Sequence, residues 1–154
     1  MLLSTFLDFD SVRTDVSASN KRQLLNHMAQ VAGARLHVDP AIIADALAER
    51  ERIGSTGFGG GVAIPHGKLG GLDRIHAFAA RLSQPIDYKA IDGQPIDLVF
   101  MLLSPPDAGA EHLKALAAVS RLVRNAATVE KLRGARSRDA LSAVLLGTDE
   151  RDAA

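Results

Sequence analysis

Residues 54–68 read Gly-Ser-Thr-Gly-Phe-Gly-Gly-Gly-Val-Ala-Ile-Pro-His-Gly-Lys, a glycine- and hydroxyl-rich stretch that runs into a single histidine. Imidazole ionises close to neutrality, so a neutral His66 carries a lone pair able to attack an electrophile such as phosphorus. Gly57, Gly59, Gly60 and Gly61 have no Cβ, which lets backbone N–H groups crowd around an anion. Ser55 and Thr56 add hydroxyl donors, and Arg52 lies just upstream. Pro65 fixes its own φ and pushes Ile64 toward extended geometry, while Gly67 leaves space beside the ring. These types at this spacing predict one histidine held rigidly next to an anion-binding surface, as reversible phosphoryl transfer requires. The plainer alternative is that the glycines form only a flexible turn.

Known phosphate motifs do not account for the stretch. In the Walker A pattern Gly-Lys is followed by Ser or Thr, but Gly67-Lys68 is followed by Leu69; the dinucleotide fingerprint begun at Gly57 puts Val62 where its third glycine belongs. No Gly-x-Ser-x-Gly elbow is present. There are five histidines and no cysteine. His27 falls on a predicted helix surface, His37 at a helix exit where the dipole favours a cation, and His76 at the start of a strand; each reads as structural. His112 stands apart. It falls in the first turns of a helix that follows Pro105-Pro106-Asp107, just after Glu111 and off the expected inward stripe, so it can point toward a neighbouring loop. Its plainer reading is a surface histidine bonded to Glu111 or water. Zinc is the rival use of His66 and His112, but no His-Glu-x-x-His pair and no thiolate exists to complete a site. A metal-dependent hydrolase is therefore a remote alternative, and neither a metal nor a cofactor is expected.

The surroundings bound the remaining possibilities. Lys plus Arg and Asp plus Glu number 18 each among 154 residues, so the net charge is zero, which argues against a nucleic-acid partner held by phosphate neutralisation. The N-terminal Met1-Leu2-Leu3-Ser4-Thr5-Phe6 lacks a basic region and breaks at Asp8 and Asp10, so no signal peptide is expected. No apolar run approaches the ~18 residues of a membrane span. A cytoplasmic protein without membrane insertion is the expectation.

The elements that must position the histidines follow from periodicity. Helices are predicted over Lys21–Leu36, capped by Ser19 or Asn20, and from Asp39-Pro40 to about Ile53, with Ile42, Ile43, Ala46 and Leu47 inward and Gly54 as the stop. Strands are predicted at Val62–Ile64, Ile75–Leu82, Ile86–Ile91 and Ile96–Leu103, the last nearly all apolar as in a central strand covered on both faces. A helix from Gly109 to Arg124 should bury Leu113, Leu116, Ala117, Ser120 and Val123. Two further helices are expected, capped by Thr128 and Ser137 and closed by Gly134 and Gly147. Helices on either side of a strand-rich centre predict a single-domain α/β sandwich with a central mixed sheet flanked by helices, spanning residues 1–147, followed by a polar tail over 148–154.

The run from Gly54-Ser55-Thr56-Gly57 to Ile64-Pro65-His66-Gly67 resembles the active-site signature of enzyme IIA components of the bacterial phosphotransferase system, of the mannitol/fructose type. The likeness extends to Ala90-Ile91-Asp92-Gly93-Gln94-Pro95-Ile96-Asp97-Leu98-Val99-Phe100, to Glu111-His112-Leu113 with Leu116, and to Lys131-Leu132-Arg133, covering Met1 to Gly147. Within the family it is most similar to the nitrogen-regulatory form. The resemblance implies that His66 is the phosphorylated residue, that His112 lies near the phosphoryl group, and that Arg52 stands beside the site. It implies an HPr-like phosphocarrier of the NPr type as donor and phosphorylation-dependent regulatory or transporter proteins as targets. The alternative is a IIA subunit of fructose/mannitol-type sugar uptake, whose IIB partner would be a separate polypeptide. Exchange between two phosphohistidines is nearly isoenergetic and needs neither ATP nor magnesium in principle. Two positions depart from the family pattern: Phe58, where a smaller aliphatic residue is common, and Gly60, where asparagine is frequent.

Overall fold

A computed structural model describes residues 1–153. Two short 3-10 turns precede β1 (Arg13–Val16), α1 (Lys21–Leu36), α2 (Pro40–Ile53), β2 (Gly57–Gly59), β3 (Val62–Ala63), β4 (His66–Lys68), β5 (His76–Ile86), β6 (Ile96–Ser104), α3 (Ala110–Arg124), α4 (Ala126–Gly134) and α5 (Arg138–Ala153). The strands form one mixed sheet in the order β1-β5-β6-β3-β2, with β4 also pairing β6. β5 and β6 run antiparallel, whereas β1 lies parallel to β5 and β3 and β4 lie parallel to β6. This is the expected mixed sheet with helices on both sides. No helix among the described residues is long and apolar enough to cross a membrane.

Strand β6 is the axis of the fold. Alternate side chains leave a strand on opposite faces. Leu98, Phe100 and Leu102 accordingly enter a core with Ala115, Val119, Leu132, Leu141 and Leu145 of α3, α4 and α5. Val99, Met101 and Leu103 enter a second core with Leu24, Met28, Ile43 and Leu47 of α1 and α2. Burial on both faces is why this strand is an almost unbroken apolar run. β3 and β4 lie end to end along one side of β6, interrupted at Ile64-Pro65. Pro65 has no N–H to give a ladder, yet its carbonyl still accepts from the Leu102 amide at 3.0 Å.

The first two helices end as expected. The Asn20 side chain accepts from the Gln23 amide at 2.9 Å, and Asp39 accepts from Ala41 with Pro40 in the first turn. Five expectations fail. Ile42, expected inward on α2, is 54 % exposed, and Asn125, not Thr128, caps α4, its side chain accepting from the Thr128 amide at 3.0 Å. Residues 87–91 form a loop, not a strand; β5 instead runs on through Pro85 to Ile86, at a register shift in its pairing with β6 that accommodates the missing proline donor. On α3 the buried face is Ala115, Ala118, Val119, Leu122 and Val123, so the predicted stripe is out of phase and Leu113 is 66 % exposed. The polar tail expected from Thr148 is the continuation of α5, which passes through Gly147 without stopping. Thr148 and Asp149 are buried there, and the Asp149 carboxylate accepts from the amides of Leu3 (2.6 Å) and Ser4 (2.7 Å). Those amides open a 3-10 turn and need acceptors, a demand invisible in local sequence.

Candidate functional site

β4 begins at His66, whose register partner on β6 is Leu102. Leu102 faces the α3 core, so His66 leaves the sheet toward α3. Gly67, next along, faces α2: a Cβ built on it would lie 3.2 Å from the Ala46 Cβ. Glycine here lets α2 approach β4 closely. Arg50 is one turn beyond Ala46 on the same helix face, and that approach carries its guanidinium over the imidazole.

The ring's hydrogen bonds define its chemistry. His66 Nδ1 lies 2.9 Å from the Ile64 carbonyl oxygen. A carbonyl only accepts, so Nδ1 carries the hydrogen and Nε2 carries the lone pair. Arg50 Nε–H donates to that lone pair at 3.1 Å, and Arg50 Nη1 donates to the Gly54 carbonyl at 2.8 Å. Burial pushes the His66 pKa below 6.5, and the Arg50 charge pushes the same way against the Ile64 bond and the Glu51 charge. The ring is therefore neutral at neutral pH.

His112, on α3, is brought to the same place. The two imidazole centroids are 5.5 Å apart with planes inclined at 54°, and Ser104 Oγ lies 2.6 Å from His112 Nδ1. Burial, with His66 and Lys68 close by, lowers the His112 pKa as well. Both rings line an open cavity of about 420 Å³, whose other walls include Ala46, Arg50, Ile53 and Lys68. A neutral nucleophilic nitrogen, a guanidinium and a second imidazole thus converge at the surface, an arrangement suited to accepting a tetrahedral anion.

The remaining predicted residues are distributed differently. Arg52 is not part of the cluster: it is 74 % exposed and pairs with Glu49. The physical reason is helix phase. Ile43, Leu47 and Arg50 share one face of α2, whereas Arg52 lies about 200° around the axis from Arg50. Ser55 Oγ accepts from the Gly57 amide at 3.1 Å, closing its own turn. Thr56 is buried and donates its hydroxyl and amide to Glu51. Glu51 also takes Tyr88 OH (3.0 Å) and Lys21 Nζ (2.8 Å); against the cost of burial, the Lys21 and Thr56 donors hold its carboxyl below its ordinary pKa. Thr56 therefore fastens the loop to the end of α2 and is committed away from the cavity.

The glycine run does not form a cradle around His66. Gly57 and Gly59 bound β2, which pairs with β3 as a hairpin, and Gly59, Gly60 and Gly61 turn it with φ of 119°, 64° and 85°. Val62 to His66 spans about 13 Å of extended chain, so the turn lies at the far end of the hairpin. Its groups are engaged there: the Gly60 amide donates to Asp92 at 3.0 Å, the Gly61 carbonyl accepts from Asp97 and Leu98, and Arg133 bridges Asp97 and the Gly60 carbonyl. Gly57 is required for packing, since a Cβ on it would fall 2.5 Å from the Ala90 Cβ. Gly60 occupies the left-handed region, which asparagine also tolerates, and Phe58 projects outward from the edge strand, partly exposed.

Comparison with known proteins settles the family. The model of the phosphoenolpyruvate-dependent sugar phosphotransferase system EIIA 2 family matches residues 5–147. The chain belongs to the type-2 EIIA family of the phosphotransferase system. A nitrogen regulatory protein of Bradyrhizobium diazoefficiens is 43% identical over 136 residues, covering 88% of this chain and 89% of that protein. The nitrogen regulatory protein of Escherichia coli (strain K12) is 36% identical over 149 residues, covering 96% and 91%. Among solved structures, nitrogen regulatory protein IIA-Ntr from Neisseria meningitidis superposes with a TM-score of 0.87 at 29% identity, covering 93% of this chain and 98% of that one. The IIA mannitol structure from Escherichia coli, at 16% identity, shares the fold with a TM-score of 0.74, covering 90% and 97%.

Proposed function

We propose that this EIIA protein accepts a phosphoryl group on Nε2 of His66 from the phosphohistidine of an HPr-like carrier of the NPr type, and signals through proteins that distinguish the two states. The observation that carries the reading is the Nδ1–H···O=C bond to Ile64, which leaves Nε2 as the nitrogen free to attack. In the transfer the His66 Nε2–P bond forms as the carrier's N–P bond breaks, and the released electron pair returns to the carrier's imidazole. The His66 ring gains positive charge through Nδ1–H, where the Ile64 carbonyl stabilises it. Arg50 exchanges its bond to Nε2 for bonds to phosphoryl oxygens, which His112 also faces. Ile53, 81 % exposed on the cavity wall, and the exposed Leu113 beside His112 suit contact with a protein donor.

The names of the 43% and 36% identical relatives support a regulatory role. A second reading, a IIA subunit of sugar uptake, has its own support in a fructose-specific EIIA component of Haloferax volcanii, 33% identical over 144 residues. Incubation with a phosphorylated carrier, followed by intact-mass spectrometry, tests both. One phosphoryl group should appear on the wild type and none on His66→Ala; uptake by that variant would refute the assignment. Efficient onward transfer to one sugar-specific IIB protein would favour the second reading.

A further inference from the structure

Ser104 is the last residue of β6 and is fully buried. It lies two positions beyond Leu102, the register partner of His66, and pairs with Lys68, two beyond His66. It therefore leaves the sheet on the same face as His66. Its carbonyl is taken by the Leu69 amide at 2.8 Å. Its hydroxyl is 2.6 Å from His112 Nδ1. A hydroxyl has one hydrogen to give, and a buried donor needs an acceptor. The Nδ1 lone pair of a neutral imidazole is the acceptor at hand. The bond then runs from Ser104 O–H to His112 Nδ1, and the hydrogen of the His112 ring resides on Nε2.

We propose that Ser104 is a positioning residue: it locks His112 in the Nε2–H tautomer, so that a neutral His112 presents an N–H donor to the phosphoryl group held on His66. The inference rests on the phosphoacceptor reading of His66. The two rings are then set in opposite tautomers by different parts of the fold. The Ile64 carbonyl keeps the hydrogen of His66 on Nδ1 and leaves a nucleophile; Ser104 keeps the hydrogen of His112 on Nε2 and leaves a donor. With the reverse bond, Nδ1–H donating to Ser104, a neutral His112 would offer the phosphoryl oxygens a lone pair and repel them.

Long-range ¹H–¹⁵N spectra of the unphosphorylated protein at neutral pH read the tautomer without any carrier. His112 should show a protonated Nε2 and a bare Nδ1; a protonated Nδ1 would overturn the proposal. In Ser104→Ala the spectrum should move toward the Nδ1–H form, and phosphoryl transfer to His66 should slow about tenfold, as for one lost hydrogen bond to a charged group. Ser104→Ala should cause no further slowing in a His112→Ala background. Equal slowing in both backgrounds would mean that Ser104 acts only on packing and would sink the proposal. If the wild type takes no phosphoryl group at all, the function assigned to His66 fails, while the tautomer spectrum still decides what Ser104 does.

Discussion

Replacing Arg50 by alanine tests the site most directly. In the resting protein the guanidinium donates to the neutral Nε2 of His66, a bond worth about 1 kcal/mol net. A transferring phosphoryl group carries about −1.5 to −2 charges. The same guanidinium then donates to charged oxygens at roughly 1.5–3 kcal/mol per bond. Only the difference between the two states accelerates transfer. Because the cavity is open to solvent, the lower end of that range applies: two such bonds from the guanidinium fork total about 3 kcal/mol, and subtracting the resting bond leaves up to about 2 kcal/mol. Arg50→Ala should therefore slow phosphorylation by a carrier roughly 10- to 30-fold, measured by quenched-flow mass spectrometry at limiting carrier. Arg50→Lys should recover part of the rate, since it restores charge without the planar fork. Arg52→Ala, which removes an exposed ion pair with Glu49, should stay within about twofold of wild type. A second readout is independent of the carrier: the Arg50 charge lowers the His66 pKa, so Arg50→Ala should raise it in a ¹⁵N titration. A slow Arg52→Ala beside a normal Arg50→Ala would refute the geometry, and with it the helix phase that places Arg50.

Two further outcomes can be checked on the protein alone. Burial holds the pKa values of His66, His76 and His112 below 6.5 in the folded state, so the unfolded chain takes up their protons first; their contribution to stability is complete above about pH 6.5 and is lost as pH falls through that value toward the lowered folded ones. Urea midpoints should hold steady from about pH 8 to 7 and decline below about 6.5, and a midpoint that rises on acidification through this window would contradict the burial of these rings. Asp149→Ala should lower unfolding free energy by about 3 kcal/mol in denaturant melts, because two amides at the N-terminus lose a buried charged acceptor; an unchanged midpoint would mean that α5 does not dock there.

The fold was legible where periodicity and turn chemistry agree. Asn20, Asp39-Pro40 and Gly54 mark the ends of α1 and α2, and the doubly apolar β6 declares a strand buried on both faces. Legibility failed where a distant partner decides. Glycine at 147 reads as a stop, but the two free amides at Leu3 and Ser4 draw Asp149 into register and the helix continues. Proline at 85 reads as a break, but a register shift on β6 absorbs it. The stripe expected on α3 starts from Leu113 and so falls out of phase, because α3 packs close to the sheet through the small Ala115 and Ala118 and leaves Leu113 outside.

The site shows the same division more sharply. His66 is legible because its own neighbours act on it: the Ile64 carbonyl, the proline break and the glycine under α2 all lie within three residues. Arg50 was also legible, since extending the inward stripe from Ile43 through Ala46 and Leu47 reaches Arg50 and misses Arg52, the residue the resemblance pointed to. The glycine run misled for the opposite reason. Exposed amides on a glycine turn suit an anion only if nothing else claims them, and here Asp92 takes the Gly60 amide while the Asp97 amide and Arg133 hold the turn's carbonyls, so that residues distant in sequence fasten the hairpin. That fastening has a consequence for His66. β3 and β4 belong to one chain segment along β6, so anchoring the hairpin at its tip and at Thr56 holds Ile64 in place, and Ile64 sets which nitrogen of His66 is free. The glycines serve the histidine through the backbone they stiffen, not through an anion they hold.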